Sequence, residues 1–599
     1  MLKARPDLHF APVPGGVYFS GARARFVLRG SEILHAVAQG CVPLLEDGTD
    51  EDALVAGIGT ERARPAVRHL VDKLRENGLL LDPAAYTAPE PAADVRARHA
   101  ESLARLEGLL DDPYGAFARL RAATVLVTGP ATATGPAARG LRRAGVGTVL
   151  TDPAAPTGTP DAVLAVQEAG AAPAAPTPAP LVVPVLLGAA DGAAGTGVTL
   201  VGPAVTGAGL PGTVAAFHER ARAWAAAGAT APAPRPVADA LAGALGAQLL
   251  VDILTGTADA GEAHVVHGTD LVSDRVAVEG APMAAAPGRP GSLPEVHTLA
   301  TAPADDRPEP DEARETAALL AAEWTGLLAL TEGADLPQMP LALRAAELRT
   351  AGRPTTTVLA WAAHQETATV AATLQALRAL IPGAPTPAAG PHAHIPGAPT
   401  PAAGLTREHW LLDGALRLLA EETRPVTAGT ATTPQPPAAN PAGAPAAAAG
   451  GAADDLLDPE GLRILTRLRA LLPADGDAPA VTLRGVPGLD WRLAEVTTGD
   501  TVLGRGWGAD TAQAALGALC TALARTQTAP ESGTPGTGTV DPLSTDALLF
   551  ADRTALDTLR TQLAAARPGT TYRGEAERHD PVLGELPFWY GPVEARDAQ

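Results

Sequence analysis

The segment ATVLVTGPATATGPAARGLRRAGVGTVLTD, Ala123 to Asp152, limits the fold more than any other stretch of the chain. It reads as a buried strand, a turn containing Gly129, a helix, and a second strand ending in the acid Asp152. Strands joined through a helix lie parallel, because a two-residue hairpin can join only antiparallel neighbours. The pattern is the opening βαβ of a nucleotide-binding α/β domain. With 599 residues there is room for about four domains, so the expected class is a multidomain α/β protein.

Lysine usage restricts the chemistry such a domain can perform. Lys3 and Lys73 are the only lysines, so a P-loop, a kinase-type phosphate lysine and a pyridoxal Schiff base all lack their ammonium in the bulk of the chain. Cys41 and Cys520 stand too far apart for a disulfide framework or a Cys-based metal site, and no metal is expected. A formal charge of −21 works against nucleic-acid phosphates and anionic lipid as partners. The start MLKARPDLHFAP has no apolar run of signal-peptide type, and LAGALGAQLLVDILTG is short for a membrane span and carries Asp252. A cytoplasmic protein is expected.

Residues 1–83 read as strands followed by three helices, a winged-helix pattern. GGVYFS and ARFVLRG form a hairpin around Gly21, Ser31 can cap a first helix over SEILHAVAQ, and Asp50 to Asp52 open a second. The third runs to about Asn77, with Val67, Leu70, Val71 and Leu74 as its buried stripe. Local Lys and Arg are slightly outnumbered by acids, which suits a peptide better than DNA. An exposed strand edge beside an Arg-lined helix can add an extended acidic peptide as one more strand. The candidate peptide contacts are Arg23, Arg25, Val27, Leu28, Arg64, Arg68, Val71 and Arg75. Spacing alone favours reading the helix arginines as a solvated face.

A Pro/Ala linker and a charged helix fill 84–120, and the α/β domain is expected over 121–300. VLVTG followed by AGVG resembles the ThiF family of adenylating enzymes, whose turn reads GxGxxG. Gly129 is kept, Ala131 and Thr134 replace the other two glycines, and Gly135 comes one place late. The stretch TDPAAPTGTPDAVLAVQEAG, Thr151 to Gly170, includes no Arg or Lys to hold a triphosphate. The resemblance thus implies a degenerate nucleotide site, with Gly129, Gly135 and Asp152 as its vestiges. Leu181 to Trp224 resembles the ThiF-like proteins of azole-forming peptide pathways, but LPGTVAAF and APMAAAPG stand where relatives carry Cys-x-x-Cys. The structural zinc of that group is not expected.

Two copies of one strand–turn–helix pattern follow, Thr331 to Leu380 and Asp490 to Arg525. With the N-terminal parts they resemble the leader-peptide-binding F protein of thiazole/oxazole and thiopeptide biosynthesis. The second copy also resembles the GxGxxxxxAxxxAxxEAxER stretch of YcaO cyclodehydratases, but its helix AALGALCTALAR has no carboxylate. The resemblance therefore implies a C-terminal α+β YcaO-like region without catalysis, over 310–380, a 409–423 helix and 455–599. It implies a separate YcaO enzyme that holds ATP and magnesium, and no cofactor on this chain. Linkers are expected over 381–408 and 424–454; IPGAPTPAAG, at Ile381 to Gly390 and Ile395 to Gly404, reads as linker expansion. His264/His267 and His392/His394 read as incidental pairs. Phe588, Trp589 and Tyr590 read as either a packed tail or a docking anchor for the partner. The function implied is binding a precursor leader and presenting its core for azoline formation; oligomeric state is left open. The alternatives are an active adenylyltransferase and an adaptor for another tailoring enzyme.

Overall fold

The computed structural model describes residues 2–30, 33–151, 158–169, 179–189, 197–206, 211–280, 295–303, 308–331, 336, 338–349, 356–382, 398–425, 459–472, 478–528 and 538–597. Ser31, Asp152 and the His392/His394 pair lie outside them. The chain divides into two compact units. One holds Met1–His218 and Gly228–Ala285, the other Glu219–Ala227 and Ala286–Gln599.

The first unit opens with an antiparallel meander of His9–Val13, Gly16–Ser20 and Arg25–Arg29, so the hairpin has a third strand. Three helices follow, Ile33–Asp47, Glu51–Ile58 and Arg64–Glu76. The first extends past the predicted segment and through Pro43. Val37, Ala38, Cys41, Val42 and Leu45 are buried along it, and that burial outweighs the roughly 3 kcal/mol a helical proline costs. Asp50 caps the second helix by accepting a 2.8 Å bond from the Ala53 N–H. Residues 84–120 are not a free span. Ala93–Arg98, Ala100–Leu109 and Pro113–Ala122 are helical. Arg5 holds the N-terminal part against them, donating to the carbonyls of Gly78, Glu107 and Leu110 and to Asp111 at 2.6–2.7 Å.

The α/β sheet of this unit runs in the order Val272–Ala277, Glu262–His267, Thr199–Val201, Leu181–Leu187, Ala162–Glu168, Thr124–Thr128, Thr148–Leu150. The last four strands of that order are parallel and the others antiparallel. Thr124–Thr128 is flanked by the next two strands in the chain, one on each side, which places a topological switch point at its carboxyl end. Helix Val237–Thr255 is long and apolar enough to cross a membrane. It packs on helix Ala131–Ala144 so closely that a Cβ on Gly243 would meet the Ala133 carbonyl at 2.1 Å.

In the second unit the two predicted copies are Ala342–Leu348, Thr357–Ala362 and helix Gln365–Leu380, and Arg492–Thr498, Thr501–Gly508 and helix Thr511–Gln527. In each copy the second strand also takes a parallel neighbour from one short segment. Thr539–Val540 joins the first sheet and Leu543–Ser544 the second. A third sheet runs Glu295–Thr298, Thr570–Ala576, Trp589–Asp597, Thr400–Gly404. Two expected boundaries move accordingly. Residues 295–298 belong to this unit because they pair in register with 573–576, and Thr400–Gly404, inside the expected 381–408 linker, is a strand leading into helix Arg407–Ala420. The second IPGAPTPAAG copy is therefore partly fold; the first lies mostly outside the described residues.

Candidate functional site

Hydrogen bonds at the two ends of the Gly16–Ser20/Arg25–Arg29 pair fix which backbone groups face outward. Gly30 N–H donates to Gly15 O and Gly21 N–H to Ala24 O, each at 3.0 Å. Bonded and non-bonded pairs alternate in an antiparallel ladder, so Leu28 and Phe26 bond inward to Val17 and Phe19. Arg25, Val27 and Arg29 direct their N–H and C=O groups to the outer edge, where no strand pairs with them among the described residues. Their side chains share the exposed face; Val27 is 45% exposed. Neither Arg25 nor Arg29 has an ion pair among the described residues.

The other expected peptide contacts divide differently. Leu28 and Val71 are core residues, buried with Phe19 and Leu70, and drop out of any contact surface. Arg23 is committed to Asp111 at 2.6 Å and to the Leu109 carbonyl. On the third helix Arg64 pairs with Asp52 and Glu61, Arg68 with Glu51 at 2.9 Å, and Arg75 with Asp72 at 3.2 Å. That face is basic in sequence and close to neutral in space. Of the expected peptide contacts with a charge, only Arg25 has no ion pair among the described residues, and Arg29, which continues the alternation of Arg25 and Val27, was missed.

At the switch point one of the two vestigial glycines, Gly129, has a packing role. Gly129 has φ +121°, and a Cβ there would meet the Val166 carbonyl at 2.2 Å. Gly135 lies within helix Ala131–Ala144, away from the turn. The crevice beyond the strand ends holds an internal ion network that sequence reading did not find. Arg235 donates to both Asp239 oxygens at 2.7 and 2.9 Å and to Glu168 at 3.1 Å, and Thr132 donates to Asp239 at 2.8 Å. Asp239 is 1% exposed. A carboxylate of the protein thus lies against the Thr132 side chain in the first turn of helix Ala131–Ala144. The i, i+4 spacing of Arg235 and Asp239 was the available signal.

In the second unit, Gly504, Gly506 and Gly508 receive the Ala522, Ala518 and Ala514 turns of helix Thr511–Gln527, where a Cβ would meet backbone nitrogen at 2.3–2.6 Å. The GxG spacing brings helix and strand together. Between the copies Trp361 donates to Thr521 at 3.2 Å, and Asp413, fully buried, is bound by Arg378 and Arg417 at 2.9 Å. Burial opposes its charge, but the two arginines, Thr545 and the Ala403 N–H outweigh burial and hold the carboxyl well below its usual range. Among the described residues no three His, Cys, Asp or Glu side chains are grouped to hold a metal. His264 lies by Glu262 and His267 bonds Asp274, so the two do not share a site. Cys41 and Cys520 are buried, and burial pushes their thiols up to about 11 and about 12.

The docking-anchor reading of the aromatic tail is corrected. Phe588 is 1% exposed, Trp589 stacks on Trp410 between the guanidinium groups of Arg407 and Arg578, and Tyr590 pairs with Ala403. The strand is interior to its sheet, so these rings serve their own core.

No family model and no curated protein matches the chain. The solved structure of a heterocyclase in complex with substrate and cofactor matches over 100% of this chain and 95% of that one, at 13% identity and a TM-score of 0.55. The heterocyclase TruD matches over 99% and 94%, at 12% identity and 0.48. E. coli MccB with MccA matches over 46% and 96%, at 8% identity and 0.30. The first of these shares its overall mixed α/β fold with this chain.

Proposed function

We propose that the chain is a non-catalytic scaffold of a cytoplasmic peptide-modifying pathway. It binds the leader of a ribosomally made precursor and presents the core to a separate YcaO cyclodehydratase for azoline formation, as in thiopeptide biosynthesis. The observation that carries this reading is the edge at Arg25, Val27 and Arg29, with outward N–H and C=O groups that no strand pairs and two cations with no ion pair among the described residues. An added strand satisfies its backbone there, and its residues opposite Arg25 and Arg29 are best acidic, with an apolar one opposite Val27. Tethering the leader makes each cyclisation effectively intramolecular, which accounts for a scaffold without chemistry of its own.

The pairing of Arg235 with Asp239 in the switch-point crevice supports a reading without nucleotide chemistry there. The fold shared with a heterocyclase favours a second reading, in which this chain is itself the cyclodehydratase. One experiment separates them. Labelled leader is titrated by fluorescence anisotropy, and loss of water from the precursor is followed by mass with and without the YcaO enzyme. The scaffold reading requires leader binding by this chain alone and water loss only with the enzyme; water loss with this chain and Mg-ATP alone establishes the second reading.

A further inference from the structure

We infer that the groove between helices Pro459–Arg469 and Thr511–Gln527 docks an acidic amphipathic helix of the catalytic partner; this rests on the scaffold reading above. Ile464, Leu471 and Leu516 are 47%, 52% and 45% exposed. Ile464 and Leu516 line, with Leu465, Leu468 and Leu519, a groove cavity of about 170 Å³ whose walls are almost wholly apolar, and Leu471 lies in the turn just past the end of the first helix. Ile464 and Leu468 follow the i, i+4 spacing of one stripe of the first helix, next to the buried Leu465.

The groove also selects the conformation of its occupant. Both walls are helices whose N–H and C=O groups bond within each helix, so an extended segment laid between them finds no backbone partners. An occupant that satisfies its own backbone and presents an apolar stripe is a helix. Charge selects its composition. In a chain of net charge −21, the first wall carries Arg463, Arg467 and Arg469 against the single acid Glu460. Arg463 and Arg467 are exposed on the outer rim of the stripe, and neither has an ion pair among the described residues. Asp510, on the opposite rim, is used by the Gln513 N–H as the cap of its own helix. A second copy of this chain packed about a two-fold axis would bring the same arginines together, so the charges favour an acidic heterologous helix.

The test uses the full-length chain and the purified YcaO cyclodehydratase as probe. Partner affinity is measured for wild type, Leu516→Glu and Arg467→Glu, with leader affinity measured in parallel. A benzophenone amino acid at position 464, on the groove wall, maps the contact by cross-linking. The expected result is a tenfold or larger loss of partner affinity in both variants, leader affinity within twofold of wild type, and a cross-link to an acidic helix of the enzyme. Arg467→Glu changes only an exposed side chain, so it remains informative if Leu516→Glu lowers thermal stability. Unchanged partner affinity overturns the inference. So does a cross-link to residues 453–458 of this chain, or to a second copy. Wild type that binds neither leader nor enzyme overturns the functional reading instead.

Discussion

Replacing Val27 with proline tests the strand edge without disturbing the domain that carries it. The Val27 N–H points outward and bonds to nothing within the meander, because the inward bonds belong to Phe26 and Leu28. Proline is tolerated on an edge strand when its missing N–H faces solvent. The fold should therefore persist, with a stability change of under about 1 kcal/mol. A bound leader loses one hydrogen bond, worth about 0.5–1.5 kcal/mol net, and meets the pyrrolidine ring where its own carbonyl would approach. A combined loss of about 1–3 kcal/mol corresponds to roughly 5- to 150-fold weaker binding. Val27→Thr keeps the N–H and should bind within about threefold of wild type. All seven tryptophans lie in the second unit, so anisotropy of labelled leader is the readout for binding, and far-UV circular dichroism with thermal melting checks the fold. If Val27→Pro melts like wild type and binds leader equally well, strand addition at this edge is refuted.

Charge reversal should weaken leader binding more at Arg25 or Arg29 than at Arg68, whose charge is already balanced by Glu51 at 2.9 Å; equal losses in anisotropy titrations would restore the helix as the main contact. Arg235→Ala strands the buried Asp239 carboxylate and should lower the stability of the first unit by about 2–4 kcal/mol, read by melting. Neither it nor wild type should bind Mg-ATP in the micromolar range, and a calorimetric isotherm there would show that the crevice still takes nucleotide. Asp413→Ala leaves Arg378 and Arg417 buried without their acid and should cost about 3–5 kcal/mol, seen as a lower denaturant midpoint in tryptophan fluorescence. The folded Asp413 carboxyl sits below its unfolded value of about 3.9, so its contribution is full above that pH and is lost as pH falls through the folded value. Acid titration of wild type should show that loss, and Asp413→Ala should flatten it.

Periodicity carried much of the fold into view. The stripe Val67, Leu70, Val71, Leu74 and the alternation of the hairpin are both visible in the sequence, and both recur in the core. The same signals argued against two of the site assignments. Val71 belongs to the stripe, and Leu28 is out of phase with Arg25 and Val27, so period alone placed both inward. The strand Thr400–Gly404 was hidden because TPAAG contains no typical strand former other than Thr400. Its small side chains answer to a neighbour instead, since a Cβ on Gly404 would meet the Trp410 nitrogen at 2.2 Å. Pairings such as Arg68 with Glu51, or Arg235 with Glu168, join residues from different elements, and no linear pattern reports which cations are already neutralised.

The interior position of Trp589–Asp597 in its sheet sets an order on folding. Glu295–Thr298 and Thr400–Gly404 are synthesised early, but neither pairs with the other; each reaches the sheet only through strands drawn from residues 570–597. Until that late segment is available, two strands and the apolar face of helix Arg407–Ala420 have no complete layer to close against. This assembly joins contacts of long sequence separation, the kind that pay loop-closure entropy before any pairing energy is recovered. The second unit therefore matures late, while the strands at 9–29 pair locally and can form well before it.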